Sequence, residues 1–237
     1  MNRVLVSPGA CRGGGVVPLE EAEVHHLRVR RARPGEAVSI HDGAGLIGTG
    51  RLVEAGTEWR VEVDAVERRP RPAPLMIAAG AGDRERFGWL VEKAAELGVT
   101  EIVPLETAHT SGVATRLRAQ HLEKLRRQAL EAVKQCGAAW SPTISAPIRL
   151  PAFLERGLVG SGWLADAGGE APPASLGDAP QVLVVGPEGG FSDEERAAVI
   201  AAGFRPIALG SHTLRFETAA IAGAAALSAA RLRGIHG

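Results

Sequence analysis

Apolar residues follow two rhythms along this chain, and the change from one to the other divides it near residue 70. Before that point they come in short, mostly β-branched runs at residues 3–6, 37–41, 46–53 and 59–66, each bounded by turn residues, which predicts strands. Asp42-Gly43-Ala44-Gly45 falls between two of these runs as a hairpin turn with mobile glycines. Short strands joined in this way predict a small β-barrel or a curled sheet. A helix at 19–29 interrupts them. It has Glu20, Glu21 and Glu23 in its first turn and Arg28 and Arg30 at its end, the charge order that a helix dipole favours.

The segment Glu67-Arg68-Arg69-Pro70-Arg71-Pro72-Ala73-Pro74 cannot continue a sheet, because its prolines remove ladder donors and stiffen the chain, and it reads as a linker. Beyond it strands and helices alternate: strand 75–79, helix 84–97, strand 99–105, a helix from about 116 to 136, and strands near 143–148 and 162–165. That alternation predicts a parallel sheet. In the first of these helices Phe87, Leu90, Val91, Ala94 and Leu97 share a core face, and Gly98 supplies the C-terminal cap. In the longer one Leu122, Leu125, Ala129, Val133 and Cys136 form the buried stripe. Arg116, Arg118, Lys124, Arg126, Arg127 and Lys134 project mostly elsewhere as a basic surface, which either binds RNA or is a salt-bridged solvent face with Glu123 and Glu131. Residues 167–180, rich in Gly, Ala and Pro, read as a flexible surface loop with little chemistry.

Val182-Leu183-Val184-Val185 then reads as a buried strand that breaks at Gly186-Pro187-Glu188-Gly189-Gly190 and runs straight into a helix. Ser192 followed by Glu195 is a capping box, with Asp193 and Glu194 on the positive end of that helix. Both a tight strand-to-helix connection and a ligand loop fit these glycines. A Walker A phosphate loop does not, since no Gly-Lys-Ser/Thr follows. Next come a strand at 206–209, the segment Gly210-Ser211-His212-Thr213-Leu214-Arg215-Phe216-Glu217-Thr218, and a helix to about Arg233. Small residues on nearly every side of that helix predict tight packing against more than one neighbour, within the chain or across a subunit interface.

Composition narrows the functional classes. The 237 residues, 45% apolar and 23% charged, describe an ordinary globular chain of one large or two smaller domains. With 27 basic and 27 acidic residues no global field attracts nucleic acid, so any basic surface is local. His25-His26-Leu27-Arg28-Val29-Arg30-Arg31-Ala32-Arg33 is such a surface: it holds four arginines and no acid, which suits phosphate contact or a solvated face. Cys11 and Cys136 have no metal or redox spacing, and no run is long and apolar enough to span a bilayer. The expectation is a cytoplasmic protein without disulfides or membrane contact. Four Trp, five Phe and no Tyr make recognition by successive base stacking a poor fit, leaving shape and phosphate contacts.

Val185-Gly186-Pro187-Glu188-Gly189-Gly190-Phe191-Ser192, followed by Leu209-Gly210-Ser211-His212-Thr213-Leu214-Arg215-Phe216-Glu217-Thr218-Ala219, resembles the signature of the RsmE family of SPOUT methyltransferases. The likeness extends to Glu96-Leu97-Gly98-Val99 with Ile102 and Pro104, and to His26-Leu27-Arg28-Val29 with Asp42-Gly43. It implies an α/β architecture: a PUA-like, RNA-binding β-barrel over residues 1–69, a linker at 70–74, and a parallel-sheet SPOUT domain with a trefoil knot over 75–237. Family members are homodimers that methylate N3 of a uridine in small-subunit (16S) ribosomal RNA with S-adenosylmethionine, so the resemblance implies ribosomal RNA, free or within the small subunit, as partner. Ala81, the stretch 107–111, Ala138 or Ala139, and His212 stand where the family carries a lysine or arginine. These differences all remove positive charge, so the alternatives are a SPOUT enzyme acting on a different RNA and a non-catalytic RNA-binding factor that retains the fold.

The resemblance assigns Val185, Gly186, Pro187, Glu188, Gly189, Gly190, Leu209, Gly210, Thr213 and Leu214 to the cofactor, and His26, Arg28, Arg30 and Arg31 to RNA. No metal is implied. A uracil imide becomes nucleophilic only when its proton leaves, and the charge then spreads onto the flanking carbonyls, where the Arg215 guanidinium is the expected stabiliser. Glu217 is either the general base or the group that orients Arg215. The purely structural alternative for both is capping of the last helix.

Overall fold

Separate clusters of buried apolar side chains organise the computed structural model, which describes residues 1–11, 14–55 and 58–235. The chain divides into two units: Met1–Arg71 with Leu130–Ser141, and Pro72–Ala129 with Pro142–Gly237. Residues 130–141, which follow the linker in the sequence, thus cluster with the first unit.

In the first unit β1 (Asn2–Leu5), β2 (Gly15–Pro18), β3 (Ala37–His41), β4 (Leu46–Ala55) and β5 (Glu58–Arg68) form one sheet in the order β1-β3-β4-β5-β2. The β1–β3 pair is parallel and the other pairs are antiparallel. The short edge strand β2 has no counterpart in the apolar pattern. Val4, Val38, Ile40, Leu52 and Val61 point inward at alternate positions, and α1 (Glu21–Val29) adds Val24 and Leu27.

Helix α1 ends in a Schellman motif: the amide of Ala32 donates to the carbonyl of Leu27 and that of Arg31 to Arg28. Arg31 stands at the left-handed position with φ of 56°, where glycine is the usual residue.

Two expectations fail in this unit. Lys134 is not part of a basic surface: it is 1% exposed, and its Nζ lies 2.7 Å from both Glu23 Oε1 and Glu131 Oε2. Glu23, itself buried, also accepts the amide of Leu5 at 3.1 Å, so it ties α1, β1 and the returning segment together. The glycines of the β3–β4 turn are packed rather than mobile. A Cβ on Gly43 would stand 2.4 Å from Leu130 Cδ1, and one on Gly45 2.4 Å from the Trp140 ring. Ser141 donates its amide to Gly43 and Gly45 donates to Ala139, closing the turn onto residues 139–141.

The second unit alternates strands and helices as expected. Its elements are β6 (Leu75–Gly80), α2 (Arg84–Glu96), β7 (Glu101–Glu106), the first half of α3 (Leu122–Cys136, which passes into the first unit at Leu130), β8 (Thr143–Ile144), β9 (Ile148–Arg149), α4 (Leu150–Leu154), β10 (Ser161–Glu170), β11 (Gln181–Val185), α5 (Asp193–Ala201), β12 (Phe204–Ile207) and α6 (Phe216–Ile235). The strands of its sheet pair in parallel, in the order β12-β10-β11-β6-β7-β8, with β9 also on β7. Chain order and spatial order part company at β11, which inserts between β10 and β6. Gly98, at φ of 76°, terminates α2 with the same Schellman bonds as α1.

Several boundaries differ from the apolar pattern. Helix α3 begins at Leu122 after a 3₁₀ turn at Ala119–His121, and Cys136 is exposed. The apolar run near 143–148 is two short strands, and α4 follows it unannounced. Strand β10 continues to Glu170 through residues whose glycines read as loop, since pairing to Ile207 overrides their low strand propensity. Strand β12 begins two residues earlier than expected and α6 three residues earlier, so Phe216 and Glu217 belong to the final helix. Small residues let α6 pack against α2, β6, β10 and β11 at once.

Candidate functional site

Parallel pairing carries β10 alongside β11 as far as Leu164 opposite Val184, near the carboxyl end of β11, and β10 runs on past it in an irregular stretch. In open parallel sheets ligands bind in the crevice beyond the carboxyl ends of the strands, at a point where strand order reverses. The chain leaves β11 here through Gly186-Pro187-Glu188-Gly189-Gly190, and the segment after β12 lines the same space. Together they enclose a cleft of about 260 Å³.

The glycine loop has a determined shape. Gly190, at φ of 71°, donates its amide to the carbonyl of Pro187 at 2.9 Å and turns the chain back. A Cβ on Gly186 would stand 3.1 Å from the amide nitrogen of Phe191. Gly80, at the end of β6, lies so close that a Cβ there would be 2.5 Å from the nitrogen of Pro187. Helix α5 starts as expected: Ser192 Oγ accepts the amide of Glu195 at 3.2 Å, and Glu195 Oε2 accepts that of Ser192 at 3.0 Å.

Two neighbouring loops clamp this one. Glu188 Oε1 accepts the amide of Asp83 at 2.9 Å. Asp83 in turn caps α2, accepting the amides of Glu85 and Arg86, and takes the Thr115 hydroxyl at 2.6 Å. The Thr115 hydroxyl is the main cause that holds the Asp83 carboxyl below the usual carboxylate range, helped by the Arg86 amide. Glu195 Oε1 also takes the amide of Ala108 at 2.8 Å, and His109 Nδ1 lies 2.9 Å from the carbonyl of Gly190. That carbonyl only accepts, so Nδ1 carries the proton.

Of the residues expected at the cofactor, Val185, Gly186, Pro187, Glu188, Gly190, Leu209, Gly210, Thr213 and Leu214 line the cleft. Gly189 does not line it: a Cβ there would meet His109 at 3.0 Å. Arg215 and Glu217 are also absent from the lining, although Leu214 and Phe216 beside them are present. Arg215 is exposed and precedes α6, with its carbonyl accepting the amide of Ala219 at 2.8 Å. Glu217 is 5% exposed, and its Oε2 is a buried oxygen without a hydrogen-bond partner. Among the described residues no ion pair joins Arg215 to Glu217.

Sequence reasoning missed the end of β10. Leu164, Ala165, Asp166 and Ala167 line the cleft, as do Phe191, Arg196, His212, Phe216 and Ala219. Asp166 Oδ2 meets Arg196 Nε at 2.5 Å, and Oδ1 accepts the amide of Gly168 at 2.8 Å. Burial pushes the Asp166 carboxyl up, but the Arg196 and Gly168 hydrogen bonds outweigh it and hold it below the usual range. The available signal was a carboxylate directly after an apolar strand that runs into a parallel sheet.

In the first unit, His26 is half-buried, and Arg28, Arg30 and Arg31 are exposed around the C-terminal end of α1. That end carries the negative pole of the helix, so the arginines also satisfy its dipole.

A sequence profile for an RNA methyltransferase domain matches residues 69–228, and one for an RNA methyltransferase PUA domain matches residues 19–64. The ribosomal RNA small subunit methyltransferase E of a Synechocystis species is 31% identical over 86% of this chain and 69% of its own length. The chain belongs to the ribosomal RNA small subunit methyltransferase E family. The PUA match lies within the first unit, and the methyltransferase match takes in most of the second unit together with residues 130–141 of the first. The Neisseria gonorrhoeae family member, solved with bound S-adenosylmethionine, is 27% identical. It matches with a TM-score of 0.81 over 95% of this chain and 96% of its own. A Legionella pneumophila structure in complex with the same cofactor is also 27% identical, with a TM-score of 0.83 over 97% of each chain.

Proposed function

We propose that this protein transfers a methyl group from S-adenosylmethionine to N3 of a uridine in small-subunit ribosomal RNA. The observation that carries the proposal is the convergence of residues 185–188 and 190 with residues 209, 210 and 212–214 on one cleft beside β10 and β11. The fold matches relatives solved with this cofactor along nearly their whole length. The lining fits the group: Leu164, Val185, Phe191, Leu209, Leu214 and Phe216 offer apolar surface for an adenine, and the glycines leave backbone amides and carbonyls uncovered.

Once bound, the cofactor supplies an activated methyl on a sulfonium. The residues of this chain hold the glycine loop in shape, exclude water with the apolar wall, and present Arg215 to the acceptor. There the guanidinium stabilises the charge that appears on the uracil carbonyls when the N3 proton leaves. Glu217 removes that proton or orients Arg215. Its unpaired buried oxygen supports a role that begins only when substrate arrives. His26, Arg28, Arg30 and Arg31 dock the RNA backbone. The working form is a homodimer with a trefoil knot in its C-terminal domain. The half-buried small-residue face of α6, Ala222, Ala225, Ala226 and Ala229, and the insertion of β11 between β10 and β6 support these two features.

Arg215→Ala is expected to abolish methyl transfer while cofactor affinity, read by calorimetry, stays nearly constant. Loss of cofactor binding would remove Arg215 from the acceptor side. Mass mapping of ribosomal RNA from a deletion strain identifies the nucleoside. A methyl missing from another RNA would reassign the substrate, and failure of the wild type to bind S-adenosylmethionine would overturn the enzyme reading.

A further inference from the structure

The Asp166–Arg196 pair is the one charged feature of the cleft wall without a role in the reading above. Arg196 projects from the first turns of α5, an element held by the Ser192–Glu195 box, and its Nε is fixed at 2.5 Å by Asp166. Its terminal amino groups carry no protein hydrogen bond among the described residues, and its side chain is 47% exposed toward the cleft and solvent. Asp166, 18% exposed, spends one acceptor direction of each oxygen on Arg196 and on the Gly168 amide, and each oxygen keeps a second. The other carboxylate of the lining, Glu188, is engaged by the Asp83 amide. Arg196 is the only guanidinium in the lining among the described residues.

Resting on the reading of this cleft as the cofactor pocket, we infer that Asp166 and Arg196 form a clasp for the zwitterionic amino-acid end of S-adenosylmethionine. Arg196 receives the carboxylate on its terminal amino groups, and Asp166 receives the ammonium. The chemistry matches group for group. The apolar wall cannot solvate an amino acid, whereas a guanidinium already oriented through Nε loses little freedom when it takes a carboxylate in a fork. Asp166 also cancels the field that a lone Arg196 would impose on a ligand carrying both an ammonium and a sulfonium.

Calorimetry on the full chain tests the clasp with three ligands: S-adenosylmethionine, its decarboxylated analogue, and 5′-methylthioadenosine, which lacks the amino-acid end. The wild type is expected to prefer the complete cofactor over the decarboxylated form by about tenfold, equivalent to about 1.4 kcal/mol. Arg196→Gln is expected to erase that preference by weakening the complete cofactor alone, and Arg196→Lys to restore part of it. Asp166→Asn is expected to weaken both amine-bearing ligands. Affinity for 5′-methylthioadenosine should be the same in all variants, which also certifies an intact pocket. An Arg196→Gln protein that keeps the full preference overturns the clasp. So does one whose cofactor affinity is unchanged while its KM for ribosomal RNA rises, since Arg196 then serves an RNA phosphate. If the wild type binds 5′-methylthioadenosine but shows no preference, only the clasp fails. If it binds none of the three, the cofactor reading fails with it.

Discussion

Lys134→Met deletes a buried cation of the first unit and leaves Glu23 without its ionic partner in a place water does not reach. Lys134 is 1% exposed and Glu23 4%, and the 2.7 Å contact between them is the only ion pair recorded for Glu23 among the described residues. Glu131, the other partner of Lys134, has a side chain that is 52% exposed and recovers its hydration when the lysine goes. The loss therefore comes mainly from Glu23, which keeps just the Leu5 amide at 3.1 Å. Removing one member of a buried pair costs about 3–5 kcal/mol, and the surviving amide bond places this case near the lower end, about 3 kcal/mol. Glu23→Gln together with Lys134→Met keeps an acceptor for Leu5 and removes the stranded charge, so it should return to within about 1 kcal/mol of wild type. Native-state hydrogen exchange at the amides of β3 and β4 measures the opening free energy of this unit separately from the other. A cost below about 1 kcal/mol for the single variant, or a double variant no better than the single one, would refute the reasoning.

Gly80→Ala places a methyl 2.5 Å from the nitrogen of Pro187, so the glycine loop must move; cofactor affinity by calorimetry should fall at least about tenfold while circular dichroism stays native. Arg31→Gly relieves a left-handed arginine and should stabilise the fold by up to about 1 kcal/mol, read as a higher thermal midpoint, while RNA affinity in a filter-binding assay falls. Asp83 has a carboxyl held low, so its stabilising contribution is present above the unfolded value of about 4 and is lost as pH falls through the lower folded value. The stability gap between wild type and Asp83→Asn in urea unfolding should therefore be open at neutral pH and close in acid.

Local interactions made much of this molecule readable before any coordinates. The period of the apolar residues placed most of the strands and helices, Gly98 ended α2, and the Ser192–Glu195 box started α5, because each involves groups only a few residues apart. Paired signature motifs pointed to the walls of the cleft for the same reason, as two short segments of recognisable chemistry. What failed depends on partners far along the chain. Lys134 reads as a surface base until Glu23, 111 residues away, is brought to it. Gly43 and Gly45 read as mobile until residues 130–141 pack on them. Asp166 fell between the strand read at 162–165 and the loop read at 167–180, because only pairing with β12 extends β10 past them, and its partner Arg196 lies 30 residues on. Periodicity records which face a side chain takes relative to its neighbours. Only the closed fold decides which distant charge or backbone meets that face, and burial then sets whether the meeting stabilises the fold or opens a site.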